Sequence, residues 1–344
     1  MTYTGGILKE RMVDMVLFQN NKLNSEESGR GPSGNLYTIF KKEFSDQLSS
    51  TRFLILFFLI LITGVASLYV AAASIRSTVE ESGTDFIFLR LFTTSSSSLP
   101  PFTSFISFLG PLVGLSIGFD AINGEQNGST LSRLLAQPVY RDDVINGKFL
   151  AGLAVLTIMT FALGGLVSGF GIMLTGIPPT AEEIARLVIY LLLNIVFMAF
   201  WLAISILFSI LFRQTATSAL GGIALWLLFT VFVPILAGPI ANAVYPVKSQ
   251  DDVISQLRNI TLQQNISRVS PSTLYDEASA VLLSPGVRTL GPILMEQIYG
   301  ATPGPLPLGQ SLLLIWPHIT GLIAGTLIIF GIAYTIFLRR EIRA

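Results

Sequence analysis

Phe53–Ile75 reads FLILFFLILITGVASLYVAAASI, a run without a single charged side chain. A helix of about 20 predominantly apolar residues is long enough to cross the hydrocarbon of a bilayer. Five more segments have the same character: Phe102–Ile122, Phe149–Gly176, Leu187–Phe212, Ala216–Ala241 and Ser311–Leu338. The second ends near Asp120, the fifth carries Pro234 and Pro239, and the sixth has Pro317 and His318 near its start. A helix satisfies its own backbone hydrogen bonds inside lipid, where an open sheet would not. The expectation is therefore an all-α polytopic membrane protein with six transmembrane helices.

Composition agrees. Of 344 residues, 51% are hydrophobic and 12% charged, against about 25% charged in an ordinary soluble domain. The 21 basic and 21 acidic residues cancel, which argues against bulk nucleic-acid binding. There is no cysteine and only one histidine, so thiolate chemistry, disulfides and a multi-histidine metal site are excluded within one chain. No metal or cofactor is expected. The first 50 residues carry Lys9, Glu10, Arg11, Asp14, Glu26 and Glu27 and lack an apolar core before a cleavage site, unlike a signal peptide.

Six spans put both termini on one side. That side collects 14 basic residues: seven before the first span, then Arg133, Arg141, Lys148, Arg213, Arg339, Arg340 and Arg343. The other side has Arg76, Arg90, Arg186, Lys248, Arg258, Arg268 and Arg288. The positive-inside bias places both termini in the cytoplasm of a multi-pass plasma-membrane protein.

Residues 1–35 read as a flexible N-terminal segment, with Asn, Ser and Gly dense from Asn20 to Asn35. Residues 36–50 follow as an amphipathic helix, with Tyr37, Phe40, Phe44 and Leu48 at helical spacing and Lys41, Lys42 and Asp46 on other faces; such a helix can lie in the headgroup region. The six-helix transmembrane region is 51–344. Within it, 242–310 is hydrophilic and is expected as an external loop with helical pieces at Asp251–Gln264 and Leu274–Leu283. Asn259 and Asn265 each begin a short sequon, a motif common by chance.

The connection between spans two and three, 124–148, carries the most information. Leu131, Leu134 and Leu135 form a helical stripe. Pro138 ends it, and Asp142 or Asp143 is placed to start the next helix. A short amphipathic helix held between two spans suits a helix-in-groove contact with a soluble partner. This segment resembles that of the ABC type-2 transporter permeases, in particular the nitrous-oxide-reductase maturation permease group. Asp120, Glu125, Thr130, Leu131, Leu134, Leu135, Pro138, Arg141, Gly147 and Lys148 stand where that pattern has its D, E, GTL-like triplet, LL, P, basic residue and GK. Ser129 replaces the usual glycine and Asn127 a common acidic residue.

The resemblance implies a permease subunit of an ATP-driven exporter, paired as a homodimer or pseudo-dimer and docked on a separate ATP-binding-cassette ATPase subunit. It implies a packing role for Leu131, Leu134 and Leu135, polar contacts to the ATPase from Glu125 and Arg141, and close backbone approach at Gly147. Thr130, Pro138 and Lys148 belong to the same interface. The chain has no ATP site of its own: Gly147-Lys148 is followed by Phe149, not Ser or Thr, and Asp142 stands where a P-loop needs glycine.

Three other features carry expectations. Gly110, Gly114 and Gly118 form a small-residue ladder that permits close helix approach, within the chain or between two chains. Glu182 and Glu183 offer an alternative, a membrane-embedded hydrolase, although acids at a helix N-terminus also suit its dipole. His318 is an interfacial side chain or, as an intramembrane ionisable group, a functional one. A further alternative is an ATP-independent membrane scaffold that recruits a regulator.

Overall fold

The computed structural model describes residues 32–78, 86–95, 99–128, 140–247, 253–290 and 304–339. Among them regular structure is entirely helical. In chain order the helices are α1 (Pro32–Leu48), α2 (Thr51–Thr78), α3 (Ile87–Thr93), α4 (Phe102–Gly118), α5 (Asn123–Asn127) and α6 (Arg141–Thr175). They continue with α7 (Ala181–Leu211), α8 (Thr215–Leu227), α9 (Val233–Val244), α10 (Val253–Ser267), α11 (Pro271–Leu283) and α12 (Leu308–Arg339). A π-helical turn, Leu228–Phe232, joins α8 to α9 into one span. Six helical segments are long and apolar enough to cross a bilayer: α2, α4 with α5, α6, α7, α8–α9 and α12.

The bundle is organised around α7, the most buried span. Its Arg186, Tyr190, Phe197 and Trp201 are among the largest fully buried side chains of the protein. α4 and α12 make the most extensive contacts with it. By contrast α2, α8–α9 and α12 turn most of their residues outward, and Leu54, Ile55, Phe58, Leu220, Ile235, Leu327 and Ile328 are exposed apolar side chains. Such surface is stable against lipid tails, which are as apolar as leucine.

The glycine ladder of α4 faces α7 of the same chain. A Cβ on Gly114 would stand 2.5 Å from the Met198 carbonyl oxygen and 3.0 Å from the Trp201 Cβ; one on Gly118 would meet the Ser205 Cβ at 2.8 Å. Gly110 is looser, with Met198 at 3.5 Å. Ser205 Oγ donates to the Leu115 carbonyl at 2.6 Å, joining the two helices where they are closest. Gly114→Ala is expected to lower stability by about 1–3 kcal/mol, because backbone rather than a side-chain tip must yield. The check is a lower unfolding midpoint in detergent, with Gly165→Ala as the neutral comparison, since a Cβ there meets nothing within 4 Å.

Two elements depart from the sequence expectation. The helix at 36–50 begins earlier, at Pro32, and its buried face is rotated: Ile39 and Glu43 turn inward while Tyr37 is exposed. Phe44 and Leu48 do pack against the core. In the stretch 242–310 the two expected helical pieces are present as α10 and α11, and they pack more closely on the bundle than a solvated loop would. α10 runs antiparallel to α9, with Asn259 Nδ2 donating to Asn242 Oδ1 (2.7 Å) and the Tyr245 carbonyl (2.9 Å). α11 then packs against α4, α7 and α12. Its Tyr275 stacks on Phe197 and donates from its hydroxyl to Asn194 Oδ1 at 2.6 Å. Polar residues that suggested a solvated loop are used inside as hydrogen-bond partners, which a buried tyrosine requires. α3 was not anticipated; it buries Phe88, Leu89, Leu91 and Phe92 between α2 and α4.

Candidate functional site

The face of the bundle that bears α1 gathers the ends of α2 and α6, the close of α4, and α5. The turn after α4 is fixed from α7: Ser209 Oγ accepts from the amides of Ile122 (2.8 Å) and Asn123 (3.1 Å), and Asn123 Nδ2 donates to the Phe212 carbonyl. Serine is short enough for its hydroxyl to reach two successive orphan amides of a helix start, which otherwise would be buried unsatisfied.

Lys148 sits in the second turn of α6 and is only 3% exposed. Its ammonium lies 2.9 Å from Glu43 Oε1 of α1 and 2.9 Å from Glu125 Oε1 of α5. A buried lysine with no partner would be neutral or excluded; two carboxylates keep this one charged and tie three helices together. Next to it Gly147 lets α1 lie against α6, since a Cβ there would be 2.8 Å from Ile39 Cγ2. Arg52 at the start of α2 bonds Asp120 at 2.7 Å and lies over the Phe119 ring. A cavity of about 460 Å³ opens between these groups, lined by Lys42, Asp46, Gln47, Arg52, Asp120 and Lys148 among others.

Sequence reasoning assigned Glu125, Gly147 and Lys148 to a contact with another subunit. The structure brings all three together within the chain, against α1. Arg141 is the first residue of α6 and is partly exposed. The helix starts earlier than expected: Tyr140 occupies the cap position, and Asp142 and Asp143 stand in the first turn, where the helix dipole favours acids. Thr130, Leu131, Leu134, Leu135 and Pro138 lie outside the described residues. Glu43, Asn123, Ser205 and Ser209 were missed. The one signal for Glu43 was indirect: a lysine in the apolar frame of α6 needs an acid from somewhere.

At the opposite face, Thr180 and Glu183 form a reciprocal capping box at the start of α7. Glu183 Oε2 accepts from the Thr180 amide at 2.8 Å, and Oε1 accepts from the Phe88 amide of α3 at 3.0 Å. Glu182 Oε1 accepts from Arg186 at 2.9 Å. Arg186 is fully buried and also donates to the carbonyls of Leu282 and Leu306 and to Ser311 Oγ. Both carboxylates are thus engaged in helix capping and in anchoring α7 to the ends of α11 and α12.

His318 is buried, with Nε2 2.6 Å from Glu277 Oε2 of α11. Arg268 grips the same carboxylate at 2.9 Å and donates to the Leu290 carbonyl. Burial by itself would raise the Glu277 carboxyl, but the His318 ring and the Arg268 guanidinium outweigh it and hold it below the ordinary value. The histidine therefore clamps α11 to α12.

Comparison with known proteins agrees with this architecture. The profile described as "ABC-2 family transporter protein" matches residues 37–342. The chain is 29% identical over 208 residues to the "Probable ABC transporter permease protein NosY" of Pseudomonas aeruginosa, covering 57% of this chain and 67% of that protein. It is 29% identical over 211 residues to the protein of the same name from Stutzerimonas stutzeri, with the same coverage. With nearly the whole helical bundle matched, this chain belongs to the ABC-2 transporter family and is a membrane-spanning permease subunit.

Proposed function

We propose that this subunit exports its substrate with energy from a separate ATP-binding subunit, that two permease chains pair around the path, and that the ATPase grips the segment 129–141. The single observation that carries this reading is how firmly both ends of that segment are anchored. On one side Ser209 holds the amides of Ile122 and Asn123. On the other Lys148 joins α6 to α5 and α1. A push that reaches either anchored end passes to α4, α6 and α1. Leu131, Leu134 and Leu135 supply the apolar stripe for the partner's groove, with Thr130 and Pro138 shaping it. Arg141 makes the polar contact. Glu125, Gly147 and Lys148 act from beneath, as the rigid seat.

The test is co-purification of the permease with its ATPase, with Leu134→Asp and Arg141→Glu as variants. Leu134→Asp is expected to lose the ATPase from the complex and to reduce permease-stimulated ATP hydrolysis to the level of the isolated ATPase. Arg141→Glu is expected to weaken retention more mildly. A complex that survives Leu134→Asp with full stimulated hydrolysis overturns the reading. The hydrolase alternative gains no support, because Glu182 and Glu183 already accept hydrogen bonds from the chain itself. The cytoplasmic placement of α1 and of both termini follows the excess of Lys and Arg on that face.

A further inference from the structure

α11 buries one face completely, with Tyr275, Ala278, Val281 and Leu282 fully enclosed. Asp276 points the other way and is exposed. Its carboxylate accepts a hydrogen bond from Ser107 of α4. One turn deeper on α11, Ser272 Oγ and Thr230 Oγ1 are 3.0 Å apart, linking α11 to the π-helical turn of the fifth span. A row of oxygens, Ser107, Asp276, Ser272 and Thr230, therefore runs from α4 across α11 to the fifth span, with Asp276 exposed, Thr230 half-buried, and Ser107 and Ser272 buried behind them. Beside it Phe108, exposed on α4, packs edge-on against Trp226 of α8 with ring centroids 4.8 Å apart.

The depth of this row matters. Ser107 lies roughly 17 Å above Gly118, the α1-face end of α4, at 1.5 Å per residue. Thr230 lies roughly 23 Å above Thr215 by the same rise. Both distances fall inside a hydrocarbon core about 30 Å thick. Asp276 takes no part in any of the ion pairs among the described residues; its neighbour Glu277 turns away to Arg268 and His318. A carboxylate exposed at such a depth is not compatible with lipid tails, where an ionised group costs several kcal/mol. The carboxylate is an acceptor only, its neighbours are hydroxyls, and an aromatic edge pair flanks them. That set suits a ligand that brings donors and positive charge on an apolar body.

We propose that Asp276, with Ser107, Ser272 and Thr230, forms a substrate subsite for amphiphilic organic cations on a water-lined face of the bundle. The proposal rests on the permease reading and gives it a substrate class. Coupling to the ATPase does not enter its test.

The natural absence of cysteine allows a direct experiment on the full chain in nanodiscs. Thr230→Cys is labelled with a pair of methanethiosulfonates of similar size, one ending in trimethylammonium and the other in sulfonate. Both reagents are expected to react. The cationic one is expected to be favoured about tenfold over the ratio seen with free cysteine, as a focusing negative charge requires. Asp276→Asn in the same background is expected to return the ratio to that of free cysteine. Tetraphenylphosphonium is expected to protect the thiol and the isosteric tetraphenylborate anion to leave it reactive. Ala280→Cys, exposed one turn outward on α11, repeats the measurement should Thr230→Cys not fold. A thiol inert to both reagents, a charge ratio unmoved by Asp276→Asn, or equal protection by the two tetraphenyl ions would overturn the proposal. Loss of ATPase binding in the coupling variants leaves these results unchanged, so the two readings fail separately.

Discussion

Lys148→Ala is expected to loosen α1 from the bundle at a cost of about 3–5 kcal/mol, the range for removing one partner from a buried ionic cluster. The size follows from what remains. Glu43 and Glu125 keep their carboxylates, 12% and 16% exposed, and are left with the looser, half-exposed Lys42 ammonium, 3.5 Å and 3.9 Å away. The cavity beside the cluster admits some water, but Lys148 itself is only 3% exposed, so its pairs are discounted less than surface pairs. The measurement is the unfolding midpoint in detergent together with the rate of proteolysis within α1. Both should shift strongly. Adding Glu43→Gln and Glu125→Gln to Lys148→Ala removes the repulsion and should recover most of the loss. If the triple variant is no better than the single one, the cluster is not what holds α1.

Arg186→Ala is expected to be as severe, about 3–5 kcal/mol, by a different route. This guanidinium spreads donors over Glu182, Ser311 and the carbonyls of Leu282 and Leu306. Truncation leaves two main-chain carbonyls and a hydroxyl buried without a donor, each costing about 1–3 kcal/mol. The share due to Glu182 is small, since that carboxylate is 42% exposed. Arg186→Lys should not rescue the protein, because one compact ammonium cannot span the positions that a planar fork reaches. The check is again the unfolding midpoint, with limited proteolysis near residue 284 reporting whether the end of α11 has come loose.

The spans were legible in the sequence because a long charge-free run such as Phe53–Ile75 has few competing interpretations. Observed boundaries differ from the expected ones chiefly where helices project past the apolar run, as α6 does by starting at Arg141 instead of Phe149. α3 was illegible because seven residues hold too little periodicity to stand out. α11 was foreseen as a helical piece at Leu274–Leu283, but its contacts were not. Its Ser272, Tyr275 and Glu277 look like a solvated stretch, and only the positions of Tyr190, Asn194, Thr230 and His318 on other helices give them partners inside the bundle. Pairings across 41 to 169 residues of chain, such as His318 with Glu277 and Ser107 with Asp276, leave no local trace. The same holds at the α1 face. The sequence pattern singled out Glu125, Gly147 and Lys148, but their partners Glu43 and Ile39 lie on a helix whose inward face was judged from its aromatics.

The packing of α11 against α12 has a consequence for how the protein is made. Synthesis delivers α11 before α12, yet Glu277 is clamped by His318 and the end of α11 is bound through Arg186 to Ser311 and Leu306. While the ribosome is still translating those residues, α11 has α3, α4 and α7 to pack on but lacks the side that α12 supplies. Arrival of α12 is thus what supplies His318 to Glu277 and Ser311 to Arg186, and a nascent chain released before it leaves both groups short of a partner.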